Sequence, residues 1–267
     1  MSPSSHHKRI LTALLIVLAL AGAFYLGDMG VTVLIVLISL AGLWEFYSLF
    51  WDKSQRLVLK TLGCAAGTLF LLDFGLEWTG SPILFLVLLF WLAWICFLLE
   101  YSRYQDQAKL QDYMILISGI AYLPLVLSLI FTLSIPEIIL VLAATFASDI
   151  GAYYSGSLWG GKKIWPSISP KKTWMGSLGG LVLCLLVTVI WGIFLGEAPW
   201  WHFLILGVFL NIAAQMGDFF QSSLKRWMHV KDTGNILPGH GGILDRIDSL
   251  LLLLPVYVLY SSVIAAL

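Results

Sequence analysis

Charge is what this sequence most conspicuously lacks. Only 11% of its 267 residues are Asp, Glu, Lys or Arg, against 60% hydrophobic, and the mean hydropathy is +0.92. So few charges cannot clothe a water-exposed surface, and no stretch reads as a soluble domain. Cysteine is scarce as well. Cys64, Cys96 and Cys184 stand far apart inside apolar runs without metal-ligand spacing, so they read as small buried hydrophobes. No internal repeat and no low-complexity segment is visible. A formal net charge of zero is silent about partners, because in a membrane protein the side on which charges lie matters more than their sum.

What the chain does have is apolar runs, at roughly 10–26, 31–50, 57–76, 82–99, 112–133, 137–156, 177–196, 200–220 and 249–267. Most approach the roughly 20 residues that span a bilayer. The expected fold class is therefore all-α: a polytopic integral membrane protein with about nine transmembrane helices. The opening SHHKR before ILTALLIVLALAGAF has the pattern of a secretory signal, with ALA before a cleavage point. The mostly apolar chain behind it favours an uncleaved first span.

Orientation follows from the basic residues, which collect in cytoplasmic loops. With the N-terminus inside, the inner segments hold Lys8, Arg9, Lys53, Arg56, Lys60, Arg103, Lys109, Lys162, Lys163, Lys171, Lys172, Lys225, Arg226, Lys231 and Arg246, all fifteen in the chain. The outer turns hold only acids: Asp28, Asp73, Glu77, Glu137 and Glu197. One missed or invented span would scatter the charges over both faces. The expectation is a cytoplasmic N-terminus, two long basic cytoplasmic loops and an external C-terminus. The hydrophilic EYSRYQDQAKLQ at 100–111 marks the best internal boundary, giving four N-terminal spans with a connector (1–111) and a catalytic part (112–267) of five spans. Glu45 and Asp52, near the inner end of the second run, read as snorkelling interfacial acids. Trp44, Trp51, Trp78, Trp159, Trp200, Trp201 and Trp227 fall near run ends, as an aromatic belt would place them.

The chemistry gathers in the second part. In the eighth run Asn211, Gln215, Asp218, Ser222 and Lys225 recur at spacings that keep them on one helical stripe. Asn and Gln there can simply hydrogen-bond neighbouring helices. An intramembrane carboxylate such as Asp218, however, is a functional candidate by default. TFASDIGAYYSG in the sixth run puts Thr145, Asp149, Tyr153 and Gly156 on one face, with Asp149 at a depth similar to Asp218. Two carboxylates facing one cavity repel unless a divalent cation or a lysine lies between them. The loop GSLWGGKKIWPSISPKKTWMGSLGG could be a patch for anionic lipid headgroups. Within it, Ser169, Lys171, Lys172, Thr173 and Gly176 suit phosphate oxygens. In KDTGNILPGHGGILDRID, Gly239, Gly241 and Gly242 surround His240 in an expected tight turn. Asp245 and Asp248 flank Arg246 at the start of the ninth run. They suit Mg2+ shared with a polyphosphate, or else helix N-terminal capping.

SSLKRWMHVKDTGNILPGHGGILDRID resembles the C-terminal motif of the phosphatidate cytidylyltransferases, in the pattern Ser222, Lys225, Arg226, Lys231, Asp232, Pro238, His240, Gly241, Gly242, Asp245, Arg246 and Asp248. SDIGAYYSG and GKKIWPSISPKKT also resemble that family, so the likeness covers about 140–250. Met175 stands where members usually carry Glu or Gln. The resemblance implies transfer of CMP from CTP to phosphatidate, giving CDP-diacylglycerol and pyrophosphate in phospholipid biosynthesis. It also implies an Mg2+ requirement, with a second, monovalent cation left open.

On that reading the catalytic set is Asp218, Lys225, Arg226, His240, Asp245, Arg246 and Asp248, with His240 a phosphate donor before a general base. Substrate would be bound by Ser222, Lys231, Asp232, Gly241, Gly242, Lys171, Lys172, Thr173 and Tyr153. The metal would be held by Asp218, Asp245, Asp248 and Asp149. The expected partners are CTP and phosphatidate in the bilayer, with no nucleic acid and with a homodimer allowed. The expected location is a bacterial-type inner membrane with the active site facing the cytoplasm. Competing readings keep CTP but take an isoprenoid-based lipid or a polyprenol, or make the chain a transporter of an anionic solute.

Overall fold

The structure is a computed structural model that describes residues 3–51, 56–76, 78, 80–237 and 241–263, with side chains placed from Thr12 onward except at 13. Asp52, Lys53, Glu77, Pro238, Gly239 and His240 lie outside the described residues. Among the described residues ten helices follow in order: α1 Pro3–Tyr25, α2 Gly27–Phe50, α3 Leu57–Leu76, α4 Pro82–Tyr104, α5 Leu110–Tyr122, α6 Pro124–Ser128, α7 Ile135–Leu158, α8 Trp174–Leu195, α9 Trp200–Trp227 and α10 Leu244–Val263. Short 3-10 turns fill Gln105–Gln107 and Leu129–Thr132. Among the described residues there is no strand beyond two isolated bridges, Lys163 with Thr173 and Leu237 with Gly241.

Eight helical segments among the described residues are long and apolar enough to cross a membrane, and α1 adds the shorter apolar stretch Leu14–Tyr25. The all-α polytopic class follows: in hydrocarbon only a helix satisfies its own backbone groups within one segment. Proline sets several boundaries. Pro82, Pro124 and Pro136 sit in the first turns of α4, α6 and α7, where a missing N–H costs no helical bond. Pro124 also splits the fifth apolar run into α5, α6 and a 3-10 turn. Ser134 and Glu137 close the start of α7 with a reciprocal capping box.

The chain divides into two compact units, Met1–Phe131 with Asp232–Asp245, and Thr132–Lys231 with Arg246–Leu267. This differs from the boundary expected at 111. In the first unit α2 packs on α1, α3 and α5, and α4 packs on α3 and α5. Tyr47 is fully buried and donates its hydroxyl to the Leu116 carbonyl at 2.9 Å. Gly63 and Gly119 flank its ring so closely that a Cβ on either would lie 2.6 Å from it.

The connector is bound into this unit. Arg56 pairs with Glu100, and its Nε lies 2.7 Å from Asp112 Oδ2. Tyr113 donates to Glu100 at 2.7 Å and Trp51 donates to Asp112 at 2.8 Å. Trp51 is thus an internal hydrogen-bond donor, 3% exposed, and not a member of an interfacial belt. Cys64 and Cys184 are buried as expected, while Cys96 on α4 is half-buried.

In the second unit α7, α8 and α9 pack on one another. Small residues let α7 and α8 approach at backbone distance: a Cβ on Gly151 would come within 2.5 Å of the Gly179 carbonyl oxygen and 2.9 Å of Gly180 Cα. Helix α10 meets α9 at Gly217, where a Cβ would lie 2.5 Å from the Asp248 carbonyl oxygen.

Candidate active site

The polar stripe of α9 does two jobs in the second unit. Its outer part, Asn211 and Gln215, ties three helices together. Ser148 on α7 donates to Asn211 Oδ1 at 2.9 Å, and Gln215 Nε2 donates to the same oxygen at 2.9 Å and to the Ser177 carbonyl on α8 at 3.1 Å. Ser177 also donates to Gln215 Oε1. The Asn211 oxygen and both ends of the Gln215 amide are thus engaged in helix packing. The inner part of the stripe opens on a cavity of about 440 Å³ lined by Asp149, Tyr153, Gly156, Lys163, Lys171, Lys172, Thr173, Ser177, Gln215 and Asp218.

The basic loop between α7 and α8 is shaped to deliver its lysines there. The Ile164 N–H donates to the Lys172 carbonyl at 3.2 Å and the Trp174 N–H donates to the Lys162 carbonyl at 3.1 Å, closing the loop as a small clasp. Trp165 packs edge-on against Phe219 of α9, ring centroids 4.7 Å apart. Lys172 ion-pairs with Asp218 and stands 4.2 Å from the Phe219 ring centroid. Ser222, one turn along α9, donates to Asp218 Oδ1 at 3.2 Å. Thr173 caps α8, its hydroxyl accepting from the Gly176 N–H at 3.0 Å. Gly176 packs against Gly156, so its missing side chain serves the helix crossing. Met175 is exposed.

Asp149 accepts a hydrogen bond from Ser249 of α10 at 3.3 Å, and Asp248 accepts from the Ser249 N–H at 2.8 Å. The charges of Asp149, Asp218 and Asp248 act on one another, with Lys172 and Arg246 acting on Asp149 and Lys225 on Asp248. At the end of α9, Arg226 is exposed and donates to the carbonyls of Ile168 and Val230, each at 3.4 Å. Lys231 is exposed just beyond.

Hard oxygens of this kind fit a magnesium ion, which needs only one or two carboxylates when substrate phosphates supply its other ligands. Among the described residues no three Asp, Glu, His or Cys side chains converge as a ready-made cage. Asp149, Asp218 and Asp248 act on one another's charge without forming such a cage by themselves, so substrate oxygens would have to complete any ion site here.

The segment 232–245 is organised separately, within the first unit. Asp245 Oδ2 accepts from the Thr233 N–H at 2.9 Å and the Gly242 N–H at 3.0 Å, and the Leu237 N–H donates to the Gly241 carbonyl at 3.0 Å. Gly241 adopts φ +81, a left-handed conformation that glycine takes without strain. Asp232 is exposed. The carboxylate of Asp245 therefore ties the start of α10 to the loop that precedes it.

Sequence reasoning missed the other anchor of this loop. Glu45 is 2% exposed and does not snorkel. Its carboxylate accepts from the Ile243 N–H at 3.1 Å, the Leu244 N–H at 2.9 Å and the Thr233 hydroxyl at 3.3 Å. A lone acid inside an apolar run was the available signal. Its partners lie about 190 residues further along the chain.

The second unit thus has the character of a helical membrane protein with intramembrane carboxylates, Asp149 and Asp218, lining one cavity with Lys163, Lys171 and Lys172. The chain belongs to the cytidylyltransferase family, whose profile matches residues 7–264. It is similar to the phosphatidate cytidylyltransferase of Bacillus subtilis (strain 168), 46% identical over 111 residues that make up 41% of each chain. It is also similar to the proteins of the same name from Staphylococcus saprophyticus, 44% identical over 119 residues (44% of this chain, 46% of the relative), and Brucella suis biovar 1, 35% identical over 128 residues (48% and 47%). The matched stretch spans less than half the length of these relatives.

Proposed function

We propose that the chain transfers CMP from CTP to phosphatidate, giving CDP-diacylglycerol and pyrophosphate. The observation that carries this reading is the cavity in which Asp149 and Asp218 meet Lys171 and Lys172. The names of the relatives and the motif running from Ser222 to Asp248 support it. The positive-inside pattern supports a cytoplasmic position for the basic loops, where CTP is found, and an inner membrane of bacterial type.

In the reaction a phosphate oxygen of phosphatidate attacks the α-phosphorus of CTP. A new P–O bond forms as the α–β phosphoanhydride breaks, and the electron pair leaves with pyrophosphate. The phosphatidate monoester has its second ionisation near about 6, so it arrives largely as the dianion and needs no base. Catalysis then consists of positioning and charge neutralisation. Lys172 is held by Asp218 at the edge of the cavity, ready to exchange that partner for a phosphate, with Lys171 and Lys163 beside it. Lys225, Arg226, Lys231 and Arg246 supply further cationic donors for the polyphosphate, with Ser222 alongside. Tyr153 lines the cavity, and Asp232, Gly241 and Gly242 offer loop groups to the nucleotide. Asp218 and Asp248, with Asp149 close by, would hold Mg2+, which when bound neutralises charge on the leaving pyrophosphate. A homodimer is compatible with this chemistry and is not required by it.

The test is CTP-dependent formation of CDP-diacylglycerol by purified protein. Asp218→Asn should lower turnover by roughly a hundredfold or more. Turnover near that of the parent, at limiting Mg2+, would rule the assignment out.

A further inference from the structure

A carboxylate buried in a membrane-spanning helix is costly unless it is fully hydrogen-bonded. Glu45 is satisfied entirely by one loop: two backbone N–H groups, Ile243 and Leu244, and one hydroxyl, Thr233. The backbone itself is cut to receive it. A Cβ on Gly234 would collide with Glu45 Oε1 and lie 2.8 Å from its Cδ, and one on Gly242 would collide with Oε2 and lie 2.7 Å from Cδ. Asp245 closes the same loop from the other side through the N–H groups of Thr233 and Gly242. Both ends of the loop are thus drawn to one carboxylate on α2, and its glycines let the chain close around it.

We propose that Glu45 is a positioning residue that holds the loop segments 233–237 and 241–244 in the shape that receives the nucleotide. This rests on the reading above, in which Asp232, Gly241 and Gly242 meet CTP. Glu45 touches neither substrate nor metal. It acts by fixing the loop, through charge-assisted hydrogen bonds that are about twice as strong as neutral ones. A satisfied charge of this kind also selects one loop conformation, since any other leaves the carboxylate buried without donors.

The test uses the full-length protein in detergent and two readouts. The first is hydrogen exchange of the amides at 233–237 and 241–244. In Glu45→Ala these amides should exchange roughly tenfold or more faster, with Glu45→Gln intermediate because its amide oxygen still accepts, while amides of α2 and α3 stay protected. The second is steady-state kinetics. KM for CTP should rise roughly tenfold with KM for phosphatidate unmoved and kcat within about threefold of the parent.

Gly234→Ala keeps the carboxylate and crowds it, and should shift both readouts in the same direction, which covers the case of an Ala variant at 45 that does not fold. Unchanged loop exchange in Glu45→Gln and Gly234→Ala would overturn the proposal. So would exchange that rises equally through α2 and α3, since that marks a residue needed for the unit as a whole. If the parent protein makes no CDP-diacylglycerol, the proposed reaction fails while the exchange comparison still decides whether Glu45 holds the loop.

Discussion

Lys172 is the residue on which the cavity's electrostatics turn. It neutralises Asp218 and is packed on Phe219, so removing it leaves a carboxylate facing Asp149 and Asp248 with less opposing charge. Lys172→Met, which keeps the packing and deletes the charge, should cut CDP-diacylglycerol formation by roughly tenfold to a hundredfold. Its loss should be larger than that of Lys171→Met, because Lys171 is exposed and carries no ion pair with Asp218. Equal losses at the two positions would show that the pairing with Asp218 is unimportant. At this scale the sequence was informative about which side chains matter and less so about what each one does. The face of α7 that carries Asp149 and Tyr153 and the polar stripe of α9 were each legible from helical spacing. The capping role of Thr173 was not, because a hydroxyl that suits a phosphate suits a backbone N–H equally well. Glu45 was misread because its donors are remote in sequence and no periodicity reports them.

Among the elements, the α7–α8 crossing decides where the clasp of lysines can sit. Both helices bracket the basic loop, and their backbones approach through Gly151, Gly179 and Gly180. A side chain at Gly151 meets backbone atoms, which cannot swing aside. Gly151→Val should lower stability by about 1–3 kcal/mol, read as a reduced thermal midpoint in detergent. It should also reduce activity by moving Lys171 and Lys172 away from α9. Leu186→Ala, on the exposed face of α8, should change neither. The hydrophobic runs located every long helix, because twenty-residue apolar stretches have few alternatives in a bilayer. They did not locate the ends of α9 and α10, which run on through charged residues to Trp227 and start early at Leu244. Hydropathy falls there while backbone hydrogen bonding continues.

For the molecule as a whole, the distribution of Lys and Arg predicts which loops face the cytoplasm. On a background with Cys64, Cys96 and Cys184 replaced by Ala, Ser167→Cys in the basic loop should react with a membrane-impermeant maleimide only after the membrane is opened. Glu197→Cys, in the turn between α8 and α9, should react in intact cells. The reverse pattern would invert the topology and remove the cytoplasmic site. The division into units was the least legible property at this scale. The segment 232–245 is joined in sequence to helices of the second unit and belongs to the first. Only a three-dimensional contact such as that of Glu45 reveals such an exchange.

That contact also has a timetable. Glu45 is synthesised 188 residues before Thr233 and 199 before Leu244. At about 5–20 residues per second, roughly ten to forty seconds pass in which α2 is made and its carboxylate has none of its eventual donors. The loop can be drawn onto Glu45 only after translation has nearly reached α10, which makes this closure a late step in the maturation of the protein.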